Sequence, residues 1–302
     1  MPITRRDNLL AVLRGEEPAW TPVSINCCQW FAHQQTTGSL PPELAEGDYL
    51  DALLHLDFDI FSRNHDGGYR THCELPSEER VEDTPQGRRV TATRHTPHGD
   101  LVHVRQEQRA ISTWHDERYP VDDWAGQRRA IWAELEHSTA CWDRDAFQQV
   151  RTRIGDAGVF LVPCGCTPLK QLHRLCGLEG ACYAICDQAA DVEAYAWAWW
   201  RRVVWPVLER LAADPAVDAV ILMDNVDAPF YPPTVAEWLW TPFVRAAVDL
   251  CAAHDTSLWV HACGQLAALR PAFAASGVAG LEGIAHPPLG DLDVALAHDI
   301  HP

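Results

Sequence analysis

Apolar segments of strand length alternate with longer amphipathic segments through the second half of the chain. Three of them are VFLVPCGC at 159–166, AVILMDNVD at 219–227 and SLWVHACG at 257–264. The intervals that follow each segment have helical periodicity. Strands that are apolar on both faces are typical of parallel sheets covered by helices. This alternation predicts an α/β fold built on a parallel sheet.

Polar and reactive side chains stand where these strands end. They are Cys164, Cys166, Asp224, Asp227, His261, Cys263 and His286. In a (β/α)8 barrel the carboxyl ends of the strands form the mouth that carries the active site. An open doubly wound sheet also binds ligands at its strand ends. No Gly-rich phosphate-binding fingerprint follows any strand, which disfavours a nucleotide site.

Charge and size narrow the class of protein. The chain has 302 residues, which suits one large barrel or two domains of about 150 residues. It carries 24 Lys+Arg against 42 Asp+Glu, so the formal net charge is −18. Nucleic acids and anionic membranes require clustered basic residues, so neither is an expected partner. Lys170 is the single lysine, so a Schiff base at any other position is excluded.

The interpretation of the cysteines depends on the cellular compartment that the sequence predicts. No apolar run approaches the roughly 20 residues of a membrane-spanning helix, and residues 1–13 do not have the pattern of a signal peptide. The sequence therefore predicts a cytoplasmic protein. Its 11 cysteines are then expected to be mostly buried thiols, with a minority acting as metal ligands or redox groups.

Residues 66–118 have a different character from the rest. They are polar and contain alternating segments such as RRVTATRH and GDLVHVRQE, which are typical of an antiparallel hairpin. We interpret them as an excursion from a single barrel domain that covers residues 1–302. Whether the excursion serves as a lid or as an interface is left open.

The spacing of His261 and Cys263 favours a metal site. In a strand, side chains two residues apart project from the same face, so the imidazole and the thiol converge. Both are zinc ligands. The alternative is a buried cysteine beside a hydrogen-bonded histidine. A catalytic zinc takes three protein ligands, and the second pair, Cys164 and Cys166, could supply one or could simply be small residues at a crowded mouth.

Two carboxylates end the most apolar strand. A charged side chain at such a place is costly unless it is bonded or functional. Asp224 and Asp227 are therefore candidates for catalysis as a general acid or base, or for orienting a substrate. The alternative is that they cap the loop that follows the strand.

Several segments, taken together and in order, resemble the uroporphyrinogen decarboxylase superfamily, which includes a cobalamin- and thiol-dependent methyltransferase branch. They are TRRDNLLAVLRGEEPAWTPV, ILMDNVDAP, SLWVHACGQ and GLEGIAHPPLGDLDVA. The resemblance implies a (β/α)8 TIM barrel with its site at the carboxyl ends of the strands.

The methyltransferase branch implies zinc bound by a His, by a Cys two residues later and by a further Cys. His261 and Cys263 match the first two ligands, and Cys164 or Cys166 could replace the third. The resemblance then implies a thiol acceptor and a methyl donor that is methylcobalamin or a corrinoid protein. We also expect Asn225, Arg63 and His286 to bind substrate.

A decarboxylase acting on uroporphyrinogen or a smaller acid is the alternative. The decarboxylases have an arginine-rich segment after strand one, but NCCQWFAHQQTTGSLPPE contains neither Arg nor Lys. They also have an Asp after a Phe-Ser pair, where this chain has Arg63. A further alternative is a barrel that binds a corrinoid or a partner protein without turnover. A homodimer is also left open.

Six of the eight barrel strands can be located in the sequence, near residues 22, 57, 159, 219, 257 and 280. A further helical signal covers 291–298, and a typical barrel takes about 250 residues without a large excursion. The barrel is therefore expected to be short at its C-terminal side. A fragment, a wall supplied by a partner chain and an open barrel are the three explanations. Each predicts an exposed apolar edge beside 22–26 and 280–285.

Overall fold

The computed structural model describes residues 2–292 of the chain. The predicted helical continuation to residue 298 therefore lies largely outside the described residues. The α-helices are α1 (Arg5–Leu13), α2 (Cys28–Thr37), α3 (Tyr49–His55), α4 (Trp124–Glu136), α5 (Arg144–Ile154), α6 (Pro168–Asp187), α7 (Ala189–Trp199), α8 (Trp205–Ala213), α9 (Pro233–Leu239), α10 (Thr241–Ala252) and α11 (Arg270–Ser276). The strands are β1 (Ile60–Ser62), β2 (Tyr69–Cys73), β3 (Ser77–Thr84), β4 (Gly87–Thr96), β5 (Gly99–Gln108), β6 (Thr113–Arg118), β7 (Ser138–Trp142), β8 (Gly158–Pro163), β9 (Ala219–Leu222), β10 (Ser257–His261) and β11 (Gly280–Glu282).

A parallel sheet in the order β1-β8-β9-β10-β11 forms the centre of the molecule. The inner strands β8 and β9 are almost completely buried, as their continuous apolar sequence requires. Helices connect the successive strands, so the predicted α/β class is confirmed. Within residues 2–292 the sheet is a curled half-barrel of five strands, and a closed eight-stranded barrel stays a prediction.

The strand predicted at 22–26 is wrong. This segment runs beside β1 without forming a ladder. Pro22 has no N–H to donate. A backbone hydrogen bond joins the segment to the residue just before β1, from Asp59 N to Val23 O at 3.0 Å. Val23 N donates to the Asp59 carboxylate at 2.8 Å and not to a backbone carbonyl, as a strand ladder would require. Val23 and Ile25 are exposed at this edge.

Residues 77–118 form a four-stranded antiparallel sheet in the order β3-β4-β5-β6. The hairpin between β4 and β5 turns at residues 97–98, between the two alternating segments that predict it. This sheet lies against α4, and a separate ladder pairs β2 with β7. The division of the chain into domains stays a prediction.

Close backbone approaches fix parts of the parallel sheet. A Cβ atom added to Gly158 at the start of β8 would lie 1.9 Å from the carbonyl oxygen of Ile60 in β1, so glycine is required there. At the same end of the sheet, Arg6 of α1 donates to both oxygens of Asp218 at 2.7 and 2.8 Å. No helix within residues 2–292 is long and apolar enough to cross a membrane.

Candidate active site

The first and last strands of the sheet meet through side chains at their carboxyl ends. Arg63, which follows β1, donates from Nε to Glu282 Oε2 of β11 at 2.7 Å. The curl of the sheet makes this contact possible, because β1 and β11 are opposite edges of it. Glu282 also stands directly beside His261, its partner in the β10–β11 register. Three chemically active side chains are thereby brought together.

His261 is bonded to Glu282 and held next to Arg63. Its Nδ1 hydrogen-bonds the Glu282 carboxylate, and Arg63 Nη2 lies 3.2 Å from the same nitrogen. Burial opposes protonation of His261, but hydrogen bonds to Cys263 and Glu282 outweigh it and raise its pKa to about 9. Burial acts to raise the pKa of Glu282, but bonds from His261 and Arg63 lower it below its ordinary value. These bonds favour the charged forms of both partners, while the positive charge of Arg63 opposes protonation of His261.

Cys263, two residues after His261, is a further partner of the imidazole. A hydrogen bond with His261 is the main cause that lowers the pKa of this half-buried thiol, and burial opposes it. The side chain of Asn225 also bonds the sulfur and lowers the pKa further. Asn225 has a φ of +53°, a left-handed conformation that asparagine tolerates. We call Arg63, Asn225, His261, Cys263 and Glu282 the mouth cluster.

The cluster contains two of the predicted zinc ligands and two of the predicted substrate-binding residues. The imidazole of His261 and the thiol of Cys263 have the donor chemistry that zinc prefers. A thiol with a lowered pKa also loses its proton more readily, as metal binding requires. Within residues 2–292, however, no three His, Cys, Asp or Glu side chains are arranged to hold a metal ion.

Neither cysteine of the second pair joins the cluster. Cys164 is fully buried, its Sγ donates to the carbonyl of Ile221 at 3.3 Å, and burial raises its pKa well above the ordinary value. Burial also raises the pKa of Cys166, to about 11. Buried thiols that stay protonated are poor metal ligands.

Asp224 is a buried residue that joins neighbouring segments through hydrogen bonds. Its carboxylate accepts from the backbone N of Thr167 at 2.7 Å and from Trp240 Nε1 at 2.8 Å. Its carbonyl oxygen accepts from the hydroxyl of Tyr231 at 2.9 Å. The side chain is completely buried, and this burial raises its pKa although the hydrogen bonds act in the opposite direction. These contacts tie the end of β9 to α6 and to the segment between α9 and α10.

The remaining predicted residues also lie outside the cluster. Asp227 Oδ1 accepts from the backbone N of Gln265 at 2.6 Å, which is a loop-capping contact. His286 is exposed, and its Nδ1 bonds the carbonyl of the next residue, Pro287, at 2.9 Å. Within residues 2–292, neither side chain forms a hydrogen bond with His261 or Cys263.

Sequence reasoning missed Glu282. The segment GLEGIA contains the strand predicted near residue 280, but its single charged residue is not among the predicted site residues. The available signal is a carboxylate in a short apolar segment that follows, next along the chain, the strand that carries His261. Gly283 then lets the chain pass close to the imidazole, since a Cβ there would lie 2.8 Å from His261 Cε1.

Comparisons with known proteins add one structural likeness. No protein-family model matches the chain, and no curated protein matches its sequence. A solved structure described as a methyltransferase from Methanosarcina mazei is similar with a TM-score of 0.44 and 13% sequence identity. The match covers 93% of this chain and 76% of the other.

Proposed function

We propose that this chain is a methyl-transfer enzyme whose reaction centre is the mouth cluster. The observation that carries the proposal is the position of His261 between the Cys263 thiol and the Glu282 carboxylate. A thiol whose proton is drawn to a neighbouring imidazole is held near its reactive thiolate form. The sequence resemblance to the methyltransferase branch supplies the reaction class, since that branch has a His and a Cys two residues apart at this strand end.

Each member of the cluster has a distinct role in the proposal. Glu282 orients the imidazole and stabilises its positive charge, as a carboxylate does in a catalytic triad. His261 keeps the proton away from Cys263. Arg63 fixes the Glu282 carboxylate and adds positive charge beside the site. The Asn225 side chain supports the charged form of the sulfur.

The proposed acceptor is a small thiol, and the proposed donor is methylcobalamin or a methylated corrinoid protein. The acceptor thiol first loses its proton to water, and its sulfur then forms a bond to the methyl carbon as the bond from that carbon to the donor breaks. The electron pair of the broken bond leaves with the donor. Zinc would be held by the neutral form of His261, by the Cys263 thiolate and by the acceptor sulfur, and it would supply a Lewis acid that holds the acceptor as its thiolate.

Metal analysis and turnover test the proposal together. Protein purified without chelator is assayed for zinc and for thiol-dependent consumption of methylcobalamin. We expect about one zinc ion per chain and measurable turnover in the wild type. Both should be lost in His261→Ala and Cys263→Ser. Cys182→Ser, which changes an exposed cysteine, is the matched control and should keep both.

The contrary outcomes separate the alternatives. Zinc content that is unchanged by both variants would remove zinc from the proposal, and turnover that survives Cys263→Ser would reject the mouth cluster as reaction centre. Anaerobic conversion of uroporphyrinogen to coproporphyrinogen would instead identify a decarboxylase. Corrinoid binding without turnover would identify a binding protein.

A further inference from the structure

A cavity of about 710 Å³ lies between the antiparallel sheet and the carboxyl ends of β8 and β9. Its roof comes from β4, β5 and β6, and its floor includes Gly165, Cys166 and Met223. The volume is within the range of sites that bind small organic molecules. Met223 connects the cavity to the mouth cluster, because its Sδ lies 3.8 Å from Nη1 of Arg63.

The walls of this cavity combine apolar and cationic surfaces. Its apolar lining includes the buried side chains of Leu135, Leu175, Tyr195, Trp199 and Val203. Three arginines line it as well, one from β4, one from β5 and one from α6. Such a lining suits a molecule with an apolar body and an anionic group.

Two of the three arginines have no carboxylate partner. Arg105 lies over the ring of Trp114 at 5.5 Å, and Arg174 bonds Cys166. Among residues 2–292 neither forms a salt bridge, although the chain carries 42 acidic residues in all. The two acidic side chains of the lining, Asp116 and Glu134, each lie beside another lining residue, His103 and Arg94 respectively. Asp116 bonds His103 at 2.6 Å.

The third arginine carries an unused donor. Arg94 Nη1 donates to the carbonyl of Leu75 at 2.8 Å. Its Nε is buried, lies 3.7 Å from Glu134 Oε1 and has no hydrogen-bond partner in the described part of the chain. A buried donor without a partner costs stability, so a ligand oxygen that reached it would be stabilising.

We propose that this cavity binds an organic oxyanion, a molecule with an apolar body and a carboxylate or phosphate group that Arg105 and Arg174 bind. Arginine binds both groups through paired N–H donors. The antiparallel sheet is then the roof of a binding site, which assigns a role to the excursion. That the bound molecule is the substrate, with its free end towards Cys263, rests on the proposed function.

Calorimetric titration with matched probes tests the cavity without requiring turnover. The probes are 1-naphthoate, 1-naphthyl phosphate and the neutral 1-naphthamide. We expect one or both anions to bind at least tenfold more tightly than the amide. Arg105→Gln and Arg174→Gln should each weaken anion binding about tenfold and leave amide binding unchanged. Arg129→Gln, at an exposed position outside the cavity, should change neither.

The relative affinity of the two anions identifies the oxyanion class. Absence of binding by both anions would overturn the proposal. So would equal affinity for naphthoate and naphthamide, or equal weakening by Arg129→Gln. These titrations measure binding without turnover, so a failure of the methyl-transfer proposal is distinguishable from a failure of this one. Anion binding without methyl transfer would keep the cavity and reject the reaction.

Discussion

Replacement of Asp224 by asparagine distinguishes a structural role for this residue from a catalytic one. Each carboxylate oxygen faces a donor, Thr167 N on one side and Trp240 Nε1 on the other. An asparagine side chain has one oxygen and one NH2 group, so it can accept from only one of these two donors. The other donor is then buried and faces an N–H group.

The structure sets the size of the expected loss. One buried donor left without a partner costs about 1–3 kcal/mol. Asparagine also removes the cost of burying a charge, which places the expected net loss towards the lower end of that range. Asp224→Ala leaves both donors without a partner, so its loss in the free energy of unfolding should be about twice that of Asp224→Asn. Trp240→Phe removes one donor, and its effect should be less than additive with Asp224→Asn because the two changes remove a shared bond.

Urea unfolding followed by circular dichroism measures these losses, and Asp249→Asn is the control because Asp249 is exposed in α10. The control should lie within about 0.5 kcal/mol of the wild type. The reasoning is refuted if Asp224→Asn unfolds like the wild type but has no enzymatic activity. That result would make Asp224 a reacting group, as the sequence first indicated.

Two further stability predictions follow from particular contacts. Burial lowers the pKa of His65 to about 4 in the folded protein, so below pH 6.5 the unfolded chain binds more protons than the folded one. The folded state is therefore destabilised as the pH falls below 6.5. The expected loss in the free energy of unfolding is about 2 kcal/mol at pH 5. Urea unfolding at pH 7 and pH 5 should show this loss in the wild type and in the exposed-site control His254→Gln, and a loss smaller by that amount in His65→Phe. Gly158→Ala should lower the free energy of unfolding by more than about 2 kcal/mol in the same assay, because the new Cβ would collide with Ile60 O; an unchanged midpoint would show that β1 and β8 can separate without cost.

The parts of the fold that the sequence predicts are those with a strong local pattern. The continuous apolar segments of β8 and β9 can be buried on both faces only in a covered parallel sheet, and they form one. The segment 22–26 alternates apolar and polar residues as a strand can, but a ladder there depends on hydrogen bonds that Pro22 and the Asp59 side chain alter. Composition alone does not contain that information.

The candidate site was predictable where its residues are close in sequence. His261 and Cys263 share a strand end, and their spacing already indicates that they converge. Glu282 and Arg63 join them through the register and curl of the sheet, which depend on contacts between distant segments. The contact between Asp224 and Trp240 could not be predicted either, because nothing in the sequence indicates that the Trp240 indole points into the core.

The reactivity of Cys263 tests the central claim most directly. Chelator-treated protein is alkylated with iodoacetamide at pH 7, and the rate at each cysteine is followed by peptide mass spectrometry. Because His261 favours the thiolate, Cys263 should react faster than the exposed Cys182 and Cys186, although it is half-buried. His261→Ala should reduce its rate to that of Cys182 or below. Slower reaction at Cys263 than at the exposed cysteines in the wild type, with no change in His261→Ala, would contradict the claim that the mouth cluster activates this thiol.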